Sequence, residues 1–322
     1  MAQAPGWTSV PVPAQRADNL KVFSTRFSPE NEYIAAAHSN GHIAVLDSAT
    51  GAIAFNLNTH GTMPTTQVVW RPLLATSKTK NVLVSVNSED KGLVQHWHIK
   101  SGKCLHTIED TQQIFAIDYT SDGQLFATAG QSRAVKVYDE ATKRVFATLV
   151  GGDQKTCAGH SNRVFSVKFH PLNRNTIVTG GWDNTVQVWD ARKGHAVMSM
   201  FGPYVCGDGV DISPDGLEVA TASWRFEDNL QIWDMRTGTV RETPQWGAQS
   251  NLYTARYSKD GSKLLAGGSG EHDVVVLQRT GDSFKLAQKF SDQRAIFTAD
   301  VSTDMTKLCF AGASGYIRCV DL

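Results

Sequence analysis

The chain has 322 residues, 41% of them hydrophobic and 19% charged, and its 31 Lys and Arg are matched by 31 Asp and Glu. That composition is apolar enough for a folded core and excludes a disordered chain. Zero net charge removes any overall pull toward nucleic acid or an anionic membrane and leaves room only for a local patch.

No apolar run approaches the ~20 residues that span a bilayer, and Met1 to Trp7 lack the basic flank and apolar stretch of a secretory signal. The five cysteines, Cys104, Cys157, Cys206, Cys309 and Cys319, are scattered without Cys-x-x-Cys spacing. They argue against a disulfide framework and for a reducing compartment.

In chain order, a strand-like segment comes first, Trp7-Thr-Ser-Val-Pro-Val12. Short strand-like runs then recur, each closing on an aromatic or aliphatic anchor before a turn: Phe27-Ser-Pro29, Trp70-Arg-Pro72, Tyr119-Thr-Ser-Asp-Gly123 and Phe169-His-Pro171, then Ile212-Ser-Pro-Asp-Gly216, Tyr257-Ser-Lys-Asp-Gly261 and Val301-Ser-Thr-Asp304. The anchors lie 43, 49, 50, 43, 45 and 44 residues apart, so seven units fill almost the whole chain. Unit four shows the plan best. Arg163 to Phe169 alternates as a first strand, and His170 to Asn175 is a turn. Thr176 to Gly180 is a second strand, Trp182-Asp-Asn184 a turn, Thr185 to Asp190 a third strand and His195 to Met200 a fourth. Gly, Asn, Asp and Pro punctuate at strand spacing throughout, and helical periodicity is missing.

The third strands end in Val-Leu-Asp47, His-Trp-His98, Val-Tyr-Asp139, Val-Trp-Asp190, Ile-Trp-Asp234, Val-Leu-Gln278 and Cys-Val-Asp321. Asp holds the last place in five of the seven, and unit four also carries Gly159-His160. From about residue 7 to the end, the chain resembles the WD40 repeat family. The resemblance implies an all-β fold, a seven-bladed β-propeller of four-stranded blades around a channel, with residues 1–322 as a single domain. Unit seven ends after its third strand, so residues 7–12 are expected to supply its outer strand and close the ring. Pro11 and Pro13 share parity, which suits the solvent edge of an outermost strand.

Several residues stand out against that frame. His160, Thr179, Asp183 and Trp189 match the family's buried tetrad, which implies a structural hydrogen-bond network in place of a catalytic triad. The other units depart from it, and units one, two, three, six and seven, which lack the full set, are expected to rely on apolar packing. Four residues before each anchor stand Phe23, Thr66, Phe115, Phe165, Asp208, Tyr253 and Phe297. Five of these seven are aromatic. In the family this column lies near the top mouth of the channel, where it would form an apolar rim; strand alternation alone would place it in the core between blades. Both placements stay open, because a bulge can re-aim a strand end.

Trp182 and Trp224 hold matching places in the second-to-third-strand turns of units four and five, at a top face suited to interaction hot spots. Stacking on each other is the alternative. One residue before the anchors, Arg26, Val69, Asp118, Lys168, Asp211, Arg256 and Asp300 read as a polar channel lining of partly neutralised charges. His96 and His98 share a strand face, but His98 falls in the terminal Asp column and reads as a surface residue. No phosphate-binding loop, zinc-protease motif or nucleophile elbow is legible, and no metal or cofactor is expected. Two longer loops, Leu73 to Asn81 and Val150 to Ala158, offer variable surface.

The functional expectation is a non-enzymatic scaffold that docks a peptide or protein partner on its top face within a larger intracellular complex. Phe115, Phe165, Trp182, Trp224, Tyr253 and Phe297 form the expected contact set. A sharper version is a reader of Arg- or Lys-containing motifs at the channel mouth, with Asp208 as the receiving acid. A different class is a structural subunit of a cytoskeletal or ciliary assembly, which would use side or bottom surfaces. Enzyme and nucleic-acid readings rank below these, and membrane insertion is not expected. The expected location is the cytoplasm, with the nucleus left open.

Overall fold

The structure, a computed structural model, describes residues 6–9, 20–59, 61–74, 80–153, 157–246 and 250–322. After β1 (Gly6–Ser9), blade one is β2 (Val22–Phe27), β3 (Tyr33–His38), β4 (Ile43–Asp47) and β5 (Ile53–Leu57). Blade two is β6 (Thr65–Trp70), β7 (Val82–Asn87), β8 (Leu93–His98) and β9 (Lys103–Glu109). Blade three is β10 (Ile114–Tyr119), β11 (Leu125–Gly130), β12 (Val135–Asp139) and β13 (Val145–Leu149). Blade four is β14 (Val164–His170), β15 (Asn173–Gly181), β16 (Thr185–Asp190) and β17 (His195–Phe201). Blade five is β18 (Val210–Ile212), β19 (Glu218–Ala222), β20 (Leu230–Asp234) and β21 (Val240–Glu242). Blade six is β22 (Asn251–Tyr257), β23 (Lys263–Ser269), β24 (Asp273–Thr280) and β25 (Ser283–Ser291). Blade seven contains β26 (Ile296–Val301), β27 (Lys307–Gly312) and β28 (Ile317–Asp321).

Each blade is a four-stranded antiparallel sheet in chain order, except that blade seven runs β1-β28-β27-β26. The first strands touch one another in cyclic order, from β2 through β6, β10, β14, β18 and β22 to β26, and β26 returns to β2. The fold is therefore a seven-bladed all-β propeller with the first strands around its centre. In the last blade, β1 pairs antiparallel with β28, with Trp7 opposite Cys319. The Trp7 indole donates to the Ser48 carbonyl of blade one at 3.0 Å. Residues 10–13, with Val10, Val12 and the two prolines, lie outside the described residues.

Recurring sequence signals set the turns. Where a unit reads Ser/Thr-x-Asp after its anchor, the hydroxyl donates to the carboxylate, as Thr120 does to Asp122 and Ser258 to Asp260 (2.6 Å each). The same hydroxyl accepts the amide five residues on, from Leu125 and Lys263. Gly123 and Gly261 close these turns with φ of 63° and 72°, where a side chain would be strained. The terminal Asp of the third strands has an equally local cause. Asp47, Asp139, Asp190 and Asp234 each accept backbone amides from the turn that follows.

The core lies between blades. Val137 of blade three packs with Phe169 and Trp189 of blade four, and Trp70 of blade two with Ala35 and Val45 of blade one. Fourth strands face solvent: Leu105, Val145 and Phe146 are exposed. Near the channel, side chains also tie blades together. Asp118, Asp211 and Asp300 each accept, at 2.8 Å, the amide of the next blade's anchor, from Phe169, Tyr257 and Phe27 respectively.

Candidate functional site

A bulge decides where the aromatic column points. The register between first and second strands shifts at Phe23, Thr66, Phe115, Phe165, Tyr253 and Phe297, in each case with the column residue left unpaired. An extra residue at that point breaks the two-residue alternation and turns the side chain out of the inter-blade core. In blade five, Asp208 stands just ahead of the short β18. All seven column residues, one per blade, line a single cavity of about 340 Å³ at the channel mouth, together with Cys206 and Gly207. All seven are half-buried.

The rings form two arcs. Phe115 stacks on Phe165 with centroids 4.8 Å apart and planes 4° from parallel. Phe165 meets Trp182 at 4.6 Å, and Trp182 meets Tyr204 at 6.2 Å. On the other side, Phe23 stacks on Phe297 at 5.8 Å, and Tyr253 meets Phe297 edge-on at 5.0 Å. Each such pair contributes about 0.5–1.5 kcal/mol beyond burial, so the rim is preorganised.

Trp182 and Trp224 do not stack on each other. Trp182 sits inside the first arc and donates its Nε1 to Cys206 Sγ at 3.2 Å. Trp224 is exposed and donates its Nε1 to Tyr253 Oη at 2.9 Å, which joins it to the second arc. Six residues singled out in the sequence, Phe115, Phe165, Trp182, Trp224, Tyr253 and Phe297, therefore meet in one feature. Two members were missed. Phe23 belonged to the column but not to the contact set. Tyr204 sits four residues before Asp208 in the link between blades four and five, and only its aromatic type would have marked it.

Beneath the rings lies a charge cluster. Arg26, Lys168 and Arg256 all contact Asp208, Lys168 at 3.0 Å and Arg256 at 3.2 Å, and Arg256 also reaches Asp300 at 3.1 Å. Burial alone would raise the Asp208 carboxyl, but Lys168, Arg26 and Arg256 outweigh it and hold it well below the usual carboxylate range. The expected receptor for an incoming cation is thus already saturated. Among the lining charges Arg256 pairs with Asp300, and Asp208 of the aromatic column adds a partner for Arg26, Lys168 and Arg256.

The four tetrad residues form one connected hydrogen-bond network. His160 contacts Asp183 through Nδ1 at 2.8 Å and Thr179 through Nε2 at 2.7 Å, and Trp189 Nε1 donates to Thr179 at 2.7 Å. Burial would raise the Asp183 carboxyl, but its bonds to His160, the Ser161 amide and Thr185 keep it low. Blade two keeps a remnant that apolar packing alone does not describe, with Trp97 Nε1 donating to Ser85 at 2.9 Å, and blade five keeps the matching bond from Trp233 Nε1 to Thr221 at 3.0 Å.

A larger cleft of about 690 Å³ opens at the opposite end, between blades two and three, beside His96 and Glu140. Glu140 is engaged by Lys143 at 2.5 Å and Tyr119 Oη at 2.8 Å. Burial lowers the pKa of His96, and both Lys143 and Arg71 place positive charge beside Glu140. His98 turns to Ser101 at 2.8 Å, apart from that cluster. No group of three or more His, Cys, Asp or Glu among the described residues could hold a metal.

The sequence profile of the WD domain, G-beta repeat, matches residues 102–139, which cover β9 to β12, and residues 151–190, which cover β14 to β16. Among curated proteins the chain is similar to Protein tipD of Dictyostelium discoideum, 23% identical over 54% of this chain and 33% of tipD. It is also similar to Autophagy-related protein 16 of Arabidopsis thaliana, 26% identical over 58% of this chain and 35% of that protein. A third relative is the COMPASS component SWD3 of Saccharomyces cerevisiae, 25% identical over 58% of this chain and 54% of SWD3. The chain thus spans from a third to about half the length of these relatives. The chain is thus a seven-bladed β-propeller in which two stretches match the WD40 repeat.

Proposed function

We propose that the protein is a non-enzymatic docking platform that holds a peptide or protein partner at the top mouth of the channel, within a multiprotein complex. The observation that carries this reading is the convergence of one side chain from every blade, five of them aromatic, on one preformed cavity. Rings already packed against one another lose little freedom on binding, and Trp and Tyr are favoured anchors at interfaces. Relatives whose names place them in a complex, such as the COMPASS component SWD3, support the coarser part of the reading. On this view residues 1–322 act as one propeller, β1 closes it, and the protein works inside the cell, in the cytoplasm. Free cysteines support that location, including Cys309 and Cys319, which face each other across β27 and β28. No helix among the described residues is long and apolar enough to cross a membrane.

A second reading, a subunit of a cytoskeletal or ciliary assembly, is favoured by one feature. Leu105, Val145 and Phe146 stand exposed on the fourth strands of neighbouring blades, at 55%, 51% and 57%, and offer a side surface for broad contacts. Affinity purification of the wild type beside two variants separates the readings. Loss of one set of proteins with Trp182→Ala/Trp224→Ala supports the mouth. Loss only with Leu105→Glu/Phe146→Glu supports the side surface and overturns the first proposal.

A further inference from the structure

We infer that Cys309 and Cys319 form a paired modification site, which a peroxide closes into a disulfide and to which β1 controls access. The site is separate from the docking mouth and shares with the reading above only the closure of blade seven by β1.

The pairing follows from register. Cys309 of β27 stands directly opposite Cys319 of β28, and both thiols are free. The Leu322 amide donates to the Thr306 carbonyl at 2.8 Å, which marks those two residues as a hydrogen-bonded pair. Bonded and non-bonded pairs alternate along an antiparallel ladder, so Cys309 and Cys319, three pairs further in, are a non-hydrogen-bonded pair. At such a pair the Cα atoms lie about 4.5 Å apart and the side chains stand closest. A disulfide takes Cα atoms roughly 4.4–6.8 Å apart, so the two strands already hold the spacing it needs. Directly opposed residues project to the same face, and both cysteines are buried there with Phe27 and Ile34 of blade one.

The gate follows from the next strand. Trp7 of β1 stands opposite Cys319 and packs against the cluster that holds both cysteines, so Trp7, Cys319 and Cys309 make one row across three strands. Burial pushes the Cys319 thiol up to about 11 and the Cys309 thiol well above its ordinary value, so both are poor nucleophiles while the row is intact. β1 is held by four residue pairs and by the Trp7 bond to Ser48 at 3.0 Å. A short edge strand opens locally more often than the whole ring unfolds. Its departure brings water to Cys319 and returns that thiol toward the reactive range. The remaining cysteines offer no such pair: Cys104 stands opposite Trp97, and Cys157 and Cys206 lie outside the strands.

In the first step the Cys319 thiolate attacks one peroxide oxygen, the O–O bond breaks, and a sulfenic acid forms as water leaves. In the second, the Cys309 sulfur gives up its proton and attacks the Cys319 sulfur, and the S–O bond breaks to release another water. The two thiols are oxidised, and one hydrogen peroxide is reduced to two waters.

The test is hydrogen peroxide treatment of the full chain carrying Cys104→Ser, which removes the exposed thiol, followed by alkylation, tryptic digestion and mass spectrometry. The expected product joins the fragment Leu308–Arg318 to the fragment that starts at Cys319, and dithiothreitol reverses it. Trp7→Ala and Gly6→Ala each loosen β1, the second because a Cβ at Gly6 collides with the Cys319 carbonyl oxygen. Each should speed formation of the bond by about tenfold. Cys309→Ser should leave the Cys319 sulfenic acid unresolved, where dimedone traps it.

Two unlinked thiols after peroxide, in the parent and in both β1 variants, overturn the site. Sulfinic acid on Cys319 in place of the bond does the same. Equal rates with and without the β1 substitutions overturn β1 as the gate and leave the pair standing.

Discussion

Asp208→Asn is the perturbation that reports most directly on how the channel is built. The carboxylate is where Arg26, Lys168 and Arg256 meet, and the side chains of Arg26 and Lys168 are each only 6% exposed. Asparagine keeps the shape and removes the charge. Arg256 retains Asp300 at 3.1 Å, but Arg26 and Lys168 lose their only ion-pair partner among the described residues. Breaking a buried pair by neutralising one member costs about 3–5 kcal/mol, because the remaining charge stays desolvated. The unfolding entropy is about 2.1 cal/mol/K per residue, or roughly 0.7 kcal/mol/K over 322 residues. The loss therefore corresponds to a fall in Tm of about 4–7 °C.

The pH dependence follows from the sign of the shift. The folded-state pKa of Asp208 is depressed, so its contribution is complete above the unfolded value of about 4 and is lost as pH falls toward the folded value. Thermal melts of the wild type and Asp208→Asn should thus differ by a constant amount at neutral and mildly acidic pH, and converge below about pH 4. Asp208→Asn/Lys168→Met should recover part of the loss, because it removes one stranded charge. A Tm change below about 1 °C at neutral pH, or no recovery in the double variant, refutes the account of Asp208 as the hub of the channel.

Met305 stands where the other turns of its type carry glycine, with φ of 60°, so Met305→Gly should stabilise by about 1 kcal/mol in denaturant melts. His160→Ala removes a buried side chain that bridges Asp183 and Thr179, and should destabilise by about 2–3 kcal/mol while leaving peptide binding at the mouth unchanged, as read by calorimetry and anisotropy together. Trp7→Ala removes the bond to Ser48 and the packing of β1 on blades one and seven. It should cost about 2 kcal/mol, and hydrogen exchange should rise first in β28.

Much of the fold is legible because its signals are local. Thr120-Ser-Asp122-Gly123 and Asp139 each direct a turn with their own side chains, so their recurrence marks the blades wherever the strands between them drift. The tetrad in blade four is legible for the same reason: Thr179, Asp183 and Trp189 lie within eleven residues of one another. Contacts between distant blades carry no such mark. Arg26 and Asp208 are 182 residues apart, and nothing near either one names the other. That is why Asp208 reads from sequence as an acid awaiting a cation, while in the folded ring it is already taken.

The same distinction explains the mouth. Alternation along β14 sets Phe165 on the side of its anchor, Phe169, and points it into the core between blades. A register shift between Val164 and Ser166 reverses that placement, and the shift recurs at the matching position in the first strands of blades one, two, three, six and seven. A bulge depends on how a strand meets its neighbour, so the residue type at the bulged position does not announce it. Once six strands share the irregularity, the column no longer competes with the core for space. Its side chains can be chosen for what they present to a partner. Aromatic rings at five of the seven places, with an acid and a threonine at the others, are what that freedom allows at a rim that must stay both apolar and fixed. Asp208 then closes the cup from below, where it holds Arg26, Lys168 and Arg256 together under the rings.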